Sequence, residues 1–426
     1  MRRIAVVGSG VAGLSCAWLL SRTHRVTLFE ADSRPGGHTH TVDVEAEGKR
    51  FPVDTGFLVF NDRTYPNLCA LFNHLGVVTV ASDMSFSVRI DEARLEWAGS
   101  NLATVFAQKR NLVKPEFWGM LKDILRFNRT ATAAVRAARP VTGTTGEFLQ
   151  AGGYGRAFRE WYLLPMSAAI WSCPTRRMLE YPAGTFLNFC HNHGLLQVSD
   201  RPLWRTVSGG GREYVRRLLA DLSDVRLATP VVSVTRPAAG GVAVATAAGV
   251  EAFDEVVLAS HSDQSLAMLS DADEAERSIL SAVRYQPNEA WVHTDASLLP
   301  RRRGAWAAWN YLAGSPQADG RPVAVSYLLN KLQPIPSRAP VIVTLNPVGE
   351  PRAESVLRRI SYAHPVFDQP AIDAQERLAR IQGQRRVWFC GAWTGYGFHE
   401  DGLRSALRVA NALGVMAPWQ PQVLAA

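Results

Sequence analysis

The stretch "IAVVGSGVAGLSCAWLL", residues 4–20, decides how the chain is read. It follows Arg2 and Arg3, so a basic tip precedes a long apolar run. That is the outline of a secretory leader. The same letters also spell a buried strand at Ile4–Val7, glycines at 8, 10 and 13, and an apolar helix carried by Leu14, Ala17, Trp18 and Leu20. The second reading wins. Glycines and serines break the apolar run, and no convincing small-residue cleavage site follows. The chain passes directly into "HRVTLFE", a second strand that ends on Glu30. Gly8, Gly10 and Gly13 serve different ends, namely a tight turn, close approach of backbone to a pyrophosphate, and close packing of helix on strand. The helix opens at Val11, Ala12 and Gly13, where unpaired N–H groups and the positive dipole end face an anion. Glu30 lies 22 residues beyond Gly8, where an acid reaches ribose hydroxyls.

The rest of the composition sets bounds. A chain of 426 residues exceeds one small core and calls for two or three interwoven domains. Net charge is +8, yet lysine occurs only at 49, 109, 114, 122 and 331, so arginine carries the excess. Either a GC-rich genome or an anionic partner, a phosphate-rich cofactor or a membrane surface, accounts for it. Cysteines 16, 69, 173, 190 and 390 stand singly, which excludes a disulfide framework and a zinc site and fits a reducing cytoplasm. No apolar stretch reaches the roughly 18 residues of a membrane span. A cytoplasmic protein is expected, with peripheral contact on the inner membrane face as an option.

"EADSRPGGHTHT", residues 30–41, places Gly36-Gly37 just after the acid. Here the sequence resembles the FAD-dependent amine oxidase and phytoene desaturase superfamily. The resemblance implies FAD contacts at Glu30 and Ala31, and a second diphosphate contact at Gly36 and Gly37. His38 stands where that family often has arginine or lysine. "FPVDTGFLVFN" (51–61) matches the family's D-x-G segment beneath the flavin, which implicates Thr55, Gly56 and Phe57. "SGGGREYVRRLLADL" (208–222) matches its second glycine segment, and Val231-Val232 falls where the family holds adenine through the backbone. "FDEVVLAS" (253–260) reads as the strand that returns to the nucleotide domain. "VWFCGAWTGYGFHEDGLRSALRVANAL" (387–413) implies Gly391 and Ala392 near the diphosphate or ribityl chain. It also implies a helix around Asp401, Gly402 and Leu403 under the flavin pyrimidine.

The implied architecture is α/β: a Rossmann-like FAD-binding domain of the GR2 type with a mixed-sheet plus helical substrate domain. The FAD domain would comprise 1–61, 206–265 and 381–426. Residues 62–205 would be a mainly helical insertion, and 266–380 would complete the substrate domain. The FAD is expected to be noncovalent, since no cysteine follows Gly391 and Cys390 reads as buried. Two departures stand out. The family's acid after the C-terminal strand is replaced by Ala392-Trp393, leaving Asp401 or backbone groups to serve the ribityl chain. The lysine that many amine oxidases hold near flavin N5 is missing from "YQPNEAWVHTDASLLP" (285–300), with Lys331 on the next strand pattern, "VAVSYLLNKL".

Candidate chemistry concentrates at the flavin end. His399 and Glu400 map to the ring-side turn, and His38 and His40 flank the glycine pair. His399 is the first choice for a proton acceptor because imidazole titrates near neutral pH; the alternative is that it caps or packs the last helix. Tyr396 either orients substrate or packs. His191 and His193 lack enough further ligands near them, so no metal site is expected. Arg301-Arg302-Arg303 reads as a solvated loop or as a lipid headgroup contact. From 107 to 139 eight basic residues face two acids, with Phe117, Leu121, Ile124 and Leu125 at helical spacing and Trp118 beside them. That segment is a membrane-interface helix or an ordinary surface helix. No nucleic-acid module accompanies the charge.

The aromatics Phe148, Tyr154, Phe158, Trp161, Tyr162, Trp171, Phe186 and Phe189 suit a pocket for hydrocarbon or pack in the core. "GYGFHEDGL" (395–403) and "HTDASLLPRRRGAWAAWNY" (293–311) look most like a bacterial subgroup associated with cyclopropane-fatty-acid-synthase-like methyltransferases. That implies a lipid or fatty-acyl substrate, and a lipid methyltransferase as partner. The expected activity is desaturation of an acyl chain by hydride transfer to flavin N5. A flavin-dependent double-bond isomerase, an amine oxidase and a non-catalytic flavin-binding partner remain open.

Overall fold

The computed structural model describes residues 1–137, 141–171, 175–197, 201–313 and 323–419; Arg139 of the basic segment and Cys173 lie outside them. The opening stretch folds as strand Arg3–Val7 and helix Val11–Ser21. Ten of the eleven helix residues are buried, so the helix has no solvent face. One side lies on the sheet and the other is covered by the final helix, His399–Ala412.

The strand belongs to a five-stranded sheet ordered Val225–Arg226, Arg25–Phe29, Arg3–Val7, Glu255–Leu258, Val387–Phe389. Every pair in it is parallel. Strands from both ends and the middle of the chain therefore share one layer. Their side chains are almost continuously apolar because both faces are covered. The second face packs against an antiparallel sheet of Val231–Thr235, Val242–Thr246 and Gly249–Phe253.

The other half is a seven-stranded mixed sheet. Its order is Val356–Val366, Arg284–His293, Ile342–Leu345, Val323–Leu328, Trp309–Ala313, Phe86–Ile90, Leu95–Ala98. Only the pairing of Trp309–Ala313 with Phe86–Ile90 is parallel. Helices Pro115–Arg136, Leu164–Trp171 and Ala183–Asn192 close the largest core, which holds Val88, Trp97, Phe117, Phe158, Phe186 and Val343.

Within 62–205, Phe86–Ile90 and Leu95–Ala98 extend the sheet. Phe86–Ile90 pairs with a strand more than 200 residues away, which local periodicity does not reveal. "NFCHNHGLL" is helix and turn, and the His193 ring stacks on Phe189 at a centroid distance of 3.9 Å. Lys331 sits on a short helix after its strand, paired with Asp83 at 3.3 Å. The basic helix buries Phe117, Met120, Phe127 and Ala131 and leaves Leu125 and Trp118 exposed. No helix among the described residues is long and apolar enough to cross a membrane.

A Cβ on Gly13 would lie 1.8 Å from the Gly8 carbonyl oxygen, whereas a Cβ on Gly10 would meet nothing within 4 Å. Gly13→Ala should therefore cost about 3 kcal/mol of stability. Gly10→Ala should keep the fold and lose FAD affinity, because its Cβ enters the space left for the cofactor. Thermal unfolding and flavin retention on purification check both.

Candidate active site

The cradle is built from close backbone approaches. Gly8 adopts φ +103° and ends the first strand, and its N–H donates to the Phe29 carbonyl (2.8 Å). Gly10 caps the helix with no side chain, so the amides of Val11, Ala12 and Gly13 are left to a ligand. Gly37, at φ +55°, packs so that a Cβ would sit 3.0 Å from Gly10 Cα. Gly402 presses on Val11 in the same way, at 2.8 Å from Cγ1, and Leu403 is buried beside it. Glu30 accepts hydrogen bonds from Ser9 N (2.8 Å) and Asp32 N (2.9 Å), and Ala31 is exposed next to it.

Two glycine motifs that lie far apart in the chain meet here. Buried Asp54 of "VDTG" accepts from Gly211 N (2.9 Å), Thr41 Oγ1 (2.5 Å) and Gln333 Nε2 (2.6 Å). Burial pushes its carboxyl up to about 6. Thr55 donates to the His40 carbonyl, and the Phe57 N–H donates to the His38 carbonyl (3.0 Å). Gly56 is needed at that crossing, since a Cβ would lie 2.2 Å from the His38 oxygen. The Gly391 N–H donates to Ser405 Oγ (2.9 Å), with Ala392 opening the next turn. Val232 is exposed at the irregularity where Val231 pairs with Thr246 and Ser233 with Ala245.

The residues assigned by sequence to proton transfer are tied into packing. The His399 ring stacks on Phe57 (centroids 3.8 Å apart), and its Nε2 is 2.9 Å from Thr39 Oγ1. Burial lowers its pKa to about 3. Glu400 caps helix Pro66–His74: its carboxylate accepts from the N–H groups of Asn67 (3.1 Å) and Leu68 (3.0 Å). Asp401 accepts from Phe398 N (3.0 Å), and burial raises it to about 6. None of the three lines the cavity described below.

Around His38 and His40 stand rings that the sequence did not join to them: Tyr362, His364, His261 and Tyr285. The His38 ring lies on Tyr362 (4.9 Å), with His364 at 5.2 Å and His261 at 6.4 Å. His261 stacks on Tyr285 (4.1 Å). His40 Nδ1 lies 3.3 Å from the Tyr362 hydroxyl, which also contacts Thr55 Oγ1 (2.8 Å). The imidazoles of His38, His261 and His364 are all held below their usual range, chiefly by burial. Beside them opens a cavity of about 230 Å³ lined by Trp171, Arg177, Met178, Glu180, Tyr181, Arg284, Gln286, His364, Pro365, Val366, Phe367 and Asp368. Its exposed rim carries Arg177, Glu180 and Arg284, and Met178, Tyr181 and Phe367 lie buried within. A second cavity of about 240 Å³ shares Tyr181 and Phe367 and reaches Tyr396.

The cradle fits a flavin dinucleotide. Free helix amides and the open space at Gly10 suit a diphosphate. Arg34 Nη1 and His38 Nε2 are buried polar atoms without partners among the described residues, which suits them to a ligand's polar atoms.

The sequence profile of flavin-containing amine oxidoreductases matches residues 11–345. The chain belongs to this family. It is an FAD-dependent oxidoreductase of amine-oxidase type. A carotenoid phi-ring synthase of Chlorobaculum tepidum is 33% identical over 135 residues, which are 29% of this chain and 20% of that protein. An L-amino-acid oxidase of Bungarus fasciatus is 50% identical over 48 residues, 11% of this chain and 9% of that protein. These matches thus span a fifth or less of the relatives' own lengths. The crystal structure of a CLA-producing fatty acid isomerase from P. acnes has the same fold. It superposes with a TM-score of 0.68 over 97% of this chain and 99% of that one, at 16% identity.

The buried rings make stability depend on pH. His40, His193, His293 and His364 are lowered to about 4, and His399 to about 3. Unfolded imidazoles bind protons below about 6.5, so the unfolded state gains protons first. Stability present above pH 6.5 is lost as pH falls toward 4. Asp54 and Asp401, raised to about 6, act in the opposite direction between about pH 4 and 6. Five rings outweigh two carboxyls, so the thermal midpoint of the FAD-loaded protein should fall between pH 7 and pH 5.

Proposed function

We propose that the protein desaturates a lipid acyl chain that enters by the cavity ending at His364. One observation carries this reading. The cavity has an apolar aromatic interior and reaches His364, whose ring lies 5.2 Å from that of His38, the residue that directly follows the Gly36-Gly37 cradle. Trp171, Met178, Tyr181 and Phe367 offer the hydrocarbon its walls. Bound FAD supplies the acceptor for a hydride. The chain's own residues must hold the substrate, exclude water and take the proton that leaves with the hydride when the double bond forms. The buried aromatic walls do the first two. The second glycine layer, Gly209 to Gly211, held by Asp54, keeps the cradle fixed while substrate enters.

Substrate-dependent bleaching of the yellow protein under anaerobic conditions tests the reading. Acyl lipids should bleach it and amines should not. Bleaching by amines alone would overturn it in favour of an amine oxidase. Shifted double bonds without net bleaching would make the enzyme an isomerase.

A further inference from the structure

Asn346, Asn288 and His364 form a run of hydrogen bonds whose direction is set at its far end. The Glu289 backbone N–H donates to Asn346 Oδ1 (3.0 Å). A backbone N–H only donates, so that end of the Asn346 amide is its oxygen. Asn346 Nδ2 then donates to Asn288 Oδ1 (2.7 Å). Asn288 is left presenting its NH2 group. One hydrogen goes to the Gln286 carbonyl (3.0 Å) and the other to His364 Nδ1 (3.0 Å). A ring nitrogen that accepts carries no proton, so the neutral His364 ring holds its proton on Nε2. Asn288 is only 1% exposed, which shields the run from exchange with solvent.

His364 lines the cavity, and its Nδ1 is taken by Asn288, which leaves Nε2 as the ring's donor. The titratable groups around the ring are His38, His261 and Tyr362, with Arg284 and Asp368 on the same cavity wall. His38 and His261 share the lowered range, so no cation stands against the ring at neutral pH.

We propose that His364 Nε2–H is a subsite for an uncharged oxygen acceptor, the carbonyl oxygen of an acyl group, and that Asn288 is the positioning residue that keeps His364 a donor. The proposal rests on the acyl reading of the cavity. It adds that the acyl end is recognised by its oxygen, not only by its chain. A donor at that oxygen also favours negative charge developing on it when a proton leaves the adjacent carbon.

The test uses FAD-loaded protein with 15N-labelled histidine and two probes, methyl decanoate and undecane. Nitrogen NMR should find the His364 proton on Nε2 in the native protein. Asn288→Asp should move it to Nδ1, because a carboxylate accepts where the amide donated. Methyl decanoate should bind about tenfold more weakly to Asn288→Asp and to His364→Phe, the loss expected for one buried hydrogen bond. Undecane should bind all three alike. Retained flavin absorbance shows that each variant is folded. A native proton on Nδ1, or ester binding unmoved in both variants, overturns the subsite while leaving an acyl cavity in place. Failure of both probes to bind the native protein overturns the acyl reading and this ligand class together.

Discussion

Three glycine contacts hold the molecule's functional half together. Gly13 lies against the Gly8 carbonyl, Gly37 against Gly10, and Gly402 against Val11. Each is a backbone approach that a side chain would block. The first seats the Val11–Ser21 helix on the central strand. The second brings the Gly36-Gly37-His38 turn over the helix N-terminus, and the third docks the final helix on the opposite side. The amides that receive a diphosphate, the turn that leads to His38 and the helix that bears His399 are all placed by this packing.

How much of this was legible depends on range along the chain. The cradle reads from the sequence because strand, glycines, helix and acid are contiguous, and glycine spacing has a local meaning. The parallel sheet follows from short apolar runs at 3–7, 25–29, 255–258 and 387–389. The chemistry at the other end does not read this way. His38, His261 and His364 come from three separate segments, and no periodicity joins them. The stacking of His399 on Phe57 and its contact with Thr39 join residues more than 300 positions apart, so they do not read from the sequence. The same holds for Glu400, since the helix that it caps begins over 300 residues earlier. The hairpin at 86–98 is hidden because its partner strand is 309–313.

The acidic groups near the cradle are used for structure. Asp54 fastens a glycine loop, Glu400 caps a helix, and Asp401 caps its own. The ring cluster at the seam between the two sheets is built of imidazoles and tyrosines. The segment 285–300 supplies Asn288, whose buried amide is a donor of fixed direction. The seam is thereby suited to polarising an oxygen on an otherwise apolar substrate.

The most direct test of this account is a crystal structure of the FAD-loaded protein with methyl decanoate bound. The account predicts the diphosphate on the amides of Val11, Ala12 and Gly13, and the ester chain among Trp171, Tyr181 and Phe367 with its carbonyl oxygen on His364. An ester bound away from that cavity, with His364 facing only protein, would contradict it.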